Sequence, residues 1–89
     1  MGVRRLHVDN LPFEITTSDV RAAFEAFGDV YDVFLVNDRV TGHPMGYGFV
    51  EMDAAAAVVA IAQLNGKNLG DRAITVCDSL EREGGAARR

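Results

Sequence analysis

Apolar and polar residues alternate at the start of the chain. Leu6 and Val8 are apolar, and the polar residues Arg5, His7 and Asp9 flank and separate them. Because successive side chains of a strand point to opposite faces, this alternation predicts a strand whose Leu6 and Val8 side chains face the core. The opposite face of the same strand is therefore predicted to be polar.

Further along, the apolar residues recur every three or four positions, which predicts a helix. The residues with this spacing are Val20, Ala23, Phe24 and Phe27. Thr16 is the expected N-cap, and Asp19, three residues later, completes a shortened capping box. Gly28 is expected to end the helix.

The remaining sequence predicts three more strands and a second helix. Val30–Val36, residues 45–52 and Ala73–Cys77 are predicted strands. Asp53 is the expected cap of a helix that runs to about Leu64. The order β-α-β-β-α-β predicts an α+β, ferredoxin-like fold. In this fold two helices cover one face of a four-stranded antiparallel sheet and leave the other face open.

The predicted third strand contains a pair of aromatic residues. Tyr47 and Phe49 are each preceded by a glycine and lie two residues apart. In a strand this spacing puts both rings on one face, with Gly48 and Val50 on the other. Exposed rings on a sheet form a platform on which unpaired bases stack, whereas the alternative is that both rings fill the core. The core is the commoner location for a strand phenylalanine, so the outcome depends on which sheet face is open.

Composition and charge narrow the classes of function. The 89 residues fit one domain, and 48% hydrophobic with 25% charged residues is typical of a globular protein. A net charge of −4 argues against a protein that binds nucleic acid mainly by electrostatic attraction. The sequence has no apolar run of the about 20 residues that a membrane span needs, and no secretory signal. We therefore expect a cytoplasmic protein that is not embedded in a membrane.

The sequence contains no pattern that predicts an enzyme, a metal site or a bound cofactor. Cys77 is the single cysteine, and no Cys/His spacing fits a metal site. The histidines and serines have no spacing that suggests a catalytic triad. Gly46-Tyr47-Gly48 lacks the third glycine of a dinucleotide-binding loop. We therefore expect a binding module without catalytic activity.

Two motifs give the chain its resemblance to a known family. Residues 45–52, Met-Gly-Tyr-Gly-Phe-Val-Glu-Met, resemble the octapeptide of the RNA recognition motif family at five of its seven defined positions. Residues 6–11, Leu-His-Val-Asp-Asn-Leu, resemble the hexapeptide of that family on the first strand. The resemblance covers nearly the whole chain and implies an RNA recognition motif domain over residues 3–80. Residues 81–89 are expected to form a flexible tail.

The resemblance implies that the open sheet face binds single-stranded RNA. In this family, rings on the open face contact bases at three motif positions, which fall on His7, Tyr47 and Phe49. Phe34 and Met45 are expected to widen this apolar platform. The full set of residues expected to contact RNA is His7, Tyr47, Phe49, Phe34, Met45, Arg5, Asn10 and Arg39. Single-stranded DNA is a second candidate ligand, because stacking does not require a 2′-hydroxyl.

The chain departs from the family pattern where that pattern carries positive charge. Met45 stands at the first octapeptide position, which is usually Arg or Lys, and a thioether cannot neutralise a phosphate. On the predicted open face the positive Arg5 is outnumbered by the negative Asp9 and Glu51. We therefore expect a surface that stacks bases well and binds phosphates weakly. If the imidazole of His7 contacts RNA, binding should tighten below about pH 6.5.

The predicted second helix supports a competing hypothesis. Residues 54–64 contain one polar side chain, Gln63, so the helix is apolar around most of its circumference. The expected buried stripe is Ala57, Ala60, Ile61 and Leu64. Val58 and Val59 are then left partly exposed. Either this is an alanine-rich helix without a partner, or the chain is a protein–protein interaction module that uses this helix or the aromatic sheet face. Self-association through the helix is one form of that alternative.

Overall fold

The computed structural model describes residues 2–79, and its elements follow the predicted order with one addition. The elements are β1 (Val3–Asp9), α1 (Thr17–Glu25), β2 (Val30–Asn37), β3 (Pro44–Asp53), α2 (Ala54–Leu64), β4 (Asn68–Leu69), β5 (Arg72–Ala73) and β6 (Thr75–Asp78). The addition is a small hairpin formed by β4 and β5, and the other four strands form one sheet. The predicted tail, residues 81–89, lies outside the described residues.

The sheet has the strand order β2-β3-β1-β6, and each neighbouring pair is antiparallel. In the β1–β3 pair, His7 is opposite Phe49 and Leu6 is opposite Val50. Directly opposed residues of antiparallel strands lie on the same face. His7 and Phe49 therefore share one face, and Leu6 and Val50 share the other. This arrangement confirms the predicted ferredoxin-like α+β fold.

Both helices pack on the Leu6 and Val50 face. α1 packs against β2, and α2 packs against β1, β3 and β6. The largest fully buried side chains of this core are Phe24, Leu6, Leu11, Met52, Ile74, Val8, Val20, Val50 and Val76. Full burial of a side chain of this size contributes about 1.5–3 kcal/mol relative to leaving it exposed. The core therefore stabilises one sheet face and leaves the face of His7 and Phe49 to other uses.

The two helices begin at the predicted caps. The Thr16 hydroxyl accepts a hydrogen bond from the Asp19 amide at 3.1 Å, and the Asp19 carboxylate accepts one from the Thr16 amide at 3.2 Å. The Asp53 carboxylate accepts a hydrogen bond at 3.1 Å from a backbone amide in the first turn of α2. α1 ends at Glu25, short of the predicted Gly28. The side chains of Thr16, Asp19 and Asp53 thus accept hydrogen bonds from backbone amides that have no partner within a helix.

The last strand of the sheet begins later than predicted. The sequence predicted a strand over Ala73–Cys77, whereas Ala73 pairs within the β4–β5 hairpin and β6 begins at Thr75. Between them, the amide of Ile74 donates a hydrogen bond to the Lys67 carbonyl at 2.9 Å. The segment that follows α2 thus pairs with the beginning of the predicted strand. As a result, the predicted strand is divided between β5 and β6.

α2 keeps an apolar outer surface. Its buried residues are Ala56, Ala57 and Ala60, with Ile61 and Leu64 partly buried. Val58 and Val59 are 61% and 47% exposed, as predicted. Neither of the two helices in residues 2–79 has the length and apolarity that crossing a membrane requires.

The loop between β2 and β3 is shaped by Asp38. Its carboxylate accepts hydrogen bonds from the amides of Thr41 at 2.9 Å and Val40 at 2.8 Å. Its backbone carbonyl accepts a further hydrogen bond from the Gly42 amide at 2.7 Å. The Thr41 amide, followed by the Val40 amide, stabilises the ionised carboxylate and lowers the pKa of Asp38. The exposed Arg39 is carried by this hydrogen-bonded turn.

Gly48 permits the close approach of β2 to β3. It lies opposite Leu35, and a Cβ atom at this position would overlap the backbone carbonyl oxygen of Phe34. A clash with backbone cannot be relieved by a change of rotamer, so one strand would have to move. Glycine at position 48 is therefore a packing requirement of the strand pair that carries Tyr47 and Phe49.

Gly48→Ala should destabilise the fold, because the added methyl group forces β2 and β3 apart. Overpacking of this kind costs about 1–3 kcal/mol, and we expect the upper end because the clash is with backbone. Gly2→Ala is the matched control, since a Cβ atom there meets only Ala54 at an ordinary 3.9 Å. Urea denaturation of both variants measures the difference. Equal stability of the two variants would contradict the close approach of the strands.

The hydrogen bonds that the Asp38 carboxylate accepts in its loop should persist to a pH below the ordinary pKa of an aspartate. Because the pKa of Asp38 is lowered in the folded loop, its stabilising contribution is complete above the ordinary aspartate pKa of about 3.9. That contribution is lost as the pH falls through the lower, folded pKa. NMR shifts of the Val40 and Thr41 amides should therefore move with a midpoint below the ordinary value. Asp38→Asn should remove this titration, and a midpoint at or above the ordinary value would contradict the hydrogen-bonded loop.

Candidate nucleic-acid interface

Four rings lie together on the sheet face opposite the helices, and we call them the aromatic face: His7, Phe34, Tyr47 and Phe49. In the β2–β3 pair Phe34 is opposite Phe49, and in the β1–β3 pair His7 is opposite Phe49. The rings of Tyr47 and Phe49 have centroids 6.3 Å apart and meet edge to face. The structure therefore brings together four residues that the sequence predicted to share this face.

The outer rings of the aromatic face are accessible to a ligand. Phe34 is 40% exposed, and Tyr47 and Phe49 are half-buried. Edge-to-face packing leaves part of each ring face free, because the two ring planes do not cover each other. Rings held in this way have little rotamer freedom left to lose when a base arrives. The geometry is therefore suited to stacking of flat, unpaired groups.

His7 lies on the predicted face, but its ring is not open in the free protein, as stacking on a base would require. His7 is only 5% exposed. It lies on a middle strand of the sheet, opposite Phe49 on one side and Cys77 on the other. The Tyr47 ring stacks against it at 5.4 Å, and the Phe49 ring meets it edge-on at 5.3 Å. The small imidazole therefore packs against these larger rings in the free protein, and a contact of His7 with RNA, with tighter binding below about pH 6.5, stays a prediction.

Arg5 lies over the aromatic face. Its guanidinium carbon is 4.5 Å from the centroid of the Phe49 ring and 5.5 Å from that of Phe34. Both distances are within the range of cation–π attraction. Arg5 is exposed, and it is on the face where the sequence predicted it. In the free protein its guanidinium therefore occupies ring surface that a base would use.

Met45 lies at the edge of the aromatic face, where β3 departs from regular pairing. Leu35 is opposite Gly48, but Asn37 is opposite Pro44, so β3 has extra residues in this stretch. Gly46 has a φ of 83°, and its carbonyl accepts a hydrogen bond from the Leu11 amide at 2.8 Å. Met45 itself is 48% exposed. A contact of this exposed residue with RNA stays a prediction.

Asn10 and Arg39 lie outside the aromatic face. Asn10 has a φ of 63°, and its side-chain amide donates to the Ala73 carbonyl at 2.8 Å. Its carbonyl oxygen accepts two hydrogen bonds from Arg72, from Nη2 at 2.8 Å and from Nε at 3.2 Å. Asn10 therefore holds the end of β1 to the β5 strand. A contact of Asn10 or Arg39 with RNA stays a prediction.

Carboxylates border the aromatic face. Asp9 is opposite Tyr47, and Glu51 is opposite Arg5 on β1 and Asp32 on β2. Among residues 2–79, one positive side chain on this face therefore stands against three negative ones. The sequence had identified two of the three. This balance agrees with the expectation that the sheet itself binds phosphates weakly.

Sequence reasoning missed Phe13 as a candidate. Phe13 is 61% exposed in the loop between β1 and α1, and the guanidinium carbon of Arg72 is 5.9 Å from its ring centroid. The available signal was an aromatic residue directly after Pro12, outside any apolar period.

Within residues 2–79 no group of three or more His, Cys, Asp or Glu side chains is placed to hold a metal ion.

Comparison with known proteins agrees with the motifs. The model of the RNA recognition motif family matches residues 6–75. The chloroplastic RNA-binding protein CP31B of Arabidopsis thaliana is 43% identical over 79 residues, which cover 88% of this chain and 27% of that protein. A large subunit of the splicing factor U2af from Nicotiana plumbaginifolia is 41% identical over 76 residues, which cover 84% of this chain and 14% of that protein. The chain thus spans less than a third of the length of these relatives.

Solved structures agree with the fold. The crystal structure of the RNA-binding protein PG1 is similar with a TM-score of 0.83 and 32% identity, covering 89% of this chain and 96% of that one. The two RNA recognition domains of Sex-lethal from Drosophila melanogaster give a TM-score of 0.79 and 28% identity, covering 85% of this chain and 49% of that one. Two family motifs, the sheet with its open aromatic face and the match over residues 6–75 lead to one conclusion. The chain belongs to the RNA recognition motif family and is an RNA-binding module.

Proposed function

We propose that the chain binds short single-stranded RNA on the aromatic face. One base stacks on Tyr47 and a second packs on Phe49, with Phe34 widening the surface beside it. The observation that carries this proposal is the pair of accessible rings on the sheet face opposite both helices. The names of the relatives, an RNA-binding protein and a splicing factor, support RNA as the ligand class.

The preference for single strands follows from the chemistry of stacking. A base can stack on a side chain only when its face is free, and in a duplex both faces are covered by neighbouring base pairs. Stacking does not involve the 2′-hydroxyl, so we propose that single-stranded DNA binds to the same rings. Discrimination between the two then depends on groups that contact the sugar.

Arg5 has to move when a base binds. Its guanidinium lies 4.5 Å from the centroid of the Phe49 ring, so a base that packs on that ring displaces it. We propose that Arg5 then contacts a phosphate of the same strand, because Arg binds phosphate through several donors. Carboxylates at Asp9, Asp32 and Glu51 oppose further phosphate contacts. We therefore expect a shallow salt dependence of binding, equivalent to fewer than about three phosphate contacts.

Tyr47→Ala should weaken binding of single-stranded RNA by about 1–3 kcal/mol, or about 5- to 150-fold, because a stacked base loses its ring. Tyr31→Ala is the matched control. Tyr31 is also an exposed aromatic residue of the sheet, but it lines a cleft with Glu25 and Gly28 at the end of α1. Fluorescence anisotropy with a labelled oligonucleotide measures both affinities.

Three results would contradict the proposal. Equal affinities of Tyr47→Ala and Tyr31→Ala would exclude stacking on the aromatic face. Tighter binding of duplex than of single-stranded RNA would exclude recognition of free bases. A steep loss of affinity with salt, well beyond about three phosphate contacts, would indicate a basic surface in place of the rings.

A protein contact through α2 is the second candidate, supported by the exposure of Val58 and Val59. If α2 mediates self-association, the sedimentation coefficient should rise with protein concentration. Val58→Gln combined with Val59→Gln should then abolish that rise, because it replaces the apolar surface with a polar one. A sedimentation coefficient that is the same for both proteins at all concentrations would remove this candidate.

Two properties stay predictions from the sequence. We propose that the chain has no catalytic activity of its own and that it acts in the cytoplasm. The relatives carry names that point to different settings, a chloroplast protein and a splicing factor. Fractionation of cells that express a tagged version of the chain measures its location directly.

A further inference from the structure

A second aromatic surface lies beyond the end of β1. Phe13 is 61% exposed, in the loop between β1 and α1. An exposed phenylalanine gains little of the hydrophobic stabilisation that burial in a core provides. The exposed ring therefore contributes little to the core.

Phe13 lies next to the residue that precedes Tyr47. A Cβ atom on Gly46 would be 3.6 Å from a ring carbon of Phe13 and 3.7 Å from the Leu11 carbonyl oxygen. The Leu11 amide also donates a hydrogen bond to the Gly46 carbonyl at 2.8 Å. These contacts fix the Phe13 loop against the start of β3. The Phe13 ring is therefore held beside Gly46, the residue that precedes Tyr47 in β3.

Arg72 is held beside Phe13 before any ligand arrives. Its Nη2 and Nε both donate to the Asn10 side-chain oxygen, at 2.8 Å and 3.2 Å. The Asn10 amide in turn donates to the Ala73 carbonyl at 2.8 Å. Two donors on one acceptor orient the plane of the guanidinium, so less side-chain entropy is lost on binding.

The charge of Arg72 is available to an anion. Among residues 2–79, Arg4 pairs with Asp78 at 2.6 Å and Arg21 with Glu25 at 3.6 Å, whereas Arg72 has no carboxylate within 4.0 Å. Its guanidinium carbon is 5.9 Å from the Phe13 ring centroid, close to the outer limit of cation–π attraction. The ring is therefore not covered tightly by its cation.

We propose that Phe13 and Arg72 form an additional nucleotide subsite next to Tyr47. A base stacks on the Phe13 ring, and the Arg72 guanidinium binds the adjoining phosphate. This inference rests on the proposed function, because it extends the same strand of RNA. It also assigns a structural role to Asn10, whose side chain orients Arg72.

The test is the gain in affinity with RNA length. Single-stranded RNA oligomers from about 2 to about 8 nucleotides are titrated against the parent protein and variants. The parent should gain affinity when the oligomer becomes long enough to reach Phe13 as well as Tyr47. Phe13→Ala should lose that gain, with binding of the longer oligomers about 5- to 150-fold weaker and of the shortest unchanged.

Conservative variants separate stacking from loop structure. Phe13→Tyr keeps an aromatic ring and should retain the gain, whereas Phe13→Leu keeps an apolar side chain and should lose it. Arg72→Ala should lower the slope of log affinity against log salt by about one contact, and Arg72→Lys should keep that slope. Tyr31→Ala, at an exposed aromatic residue near the end of α1, is the matched control and should behave as the parent.

The outcomes distinguish this inference from the proposed function. If Tyr47→Ala weakens binding but Phe13→Ala binds every oligomer as the parent does, the subsite is overturned and the aromatic face stands. If Phe13→Leu retains the gain with length, the role of Phe13 is apolar packing and stacking is overturned. If the parent binds no single-stranded RNA, both proposals fail together.

Discussion

The register of β3 between β1 and β2 is the constraint on which the rest of the structure depends. A shift by one residue would turn Tyr47 and Phe49 toward the helices and Val50 toward solvent, because side chains alternate along a strand. Gly48 protects this register, since no side chain fits between it and the Phe34 carbonyl. The burial of Val50 opposite Leu6, on the face that the helices cover, fixes the same register. Because the helices pack on the face of Leu6 and Val50, this register leaves the rings of the aromatic face on the side that the helices do not cover.

The charge distribution sets how this surface works. Carboxylates border the rings, and within residues 2–79 single arginines lie near aromatic rings, Arg5 over Phe49 and Arg72 beside Phe13. A surface of this kind attracts little of the diffuse electrostatic binding that basic proteins show. If RNA binds as we propose, the affinity depends on how many bases stack on a ring, and each arginine contacts one phosphate next to a stacked base. On this proposal, the length of the ligand matters more for affinity than its charge.

Much of the fold was predictable from the sequence, because alternation and caps are local signals. Alternation alone places Leu6 and Val8 in the core and Tyr47 and Phe49 on one shared face, as the structure has them. It gives the face of a residue but not the size of its neighbours, so the burial of His7 among larger rings was not predictable. The Asn10–Arg72 contact joins residues far apart in sequence, and no local pattern encodes it. Phe13 belongs neither to the alternating residues of a predicted strand nor to the apolar residues of a predicted helix, so no sequence pattern indicated its role.

An NMR titration with a short single-stranded RNA tests the central claim most directly. The account predicts that the largest changes in amide and ring shifts occur at Phe34, Tyr47 and Phe49, on the sheet face opposite both helices. The amides of Val58 and Val59 on α2 should stay unchanged in the same titration. Shifts confined to α2, or no shifts on the aromatic face at saturating RNA, would contradict the account.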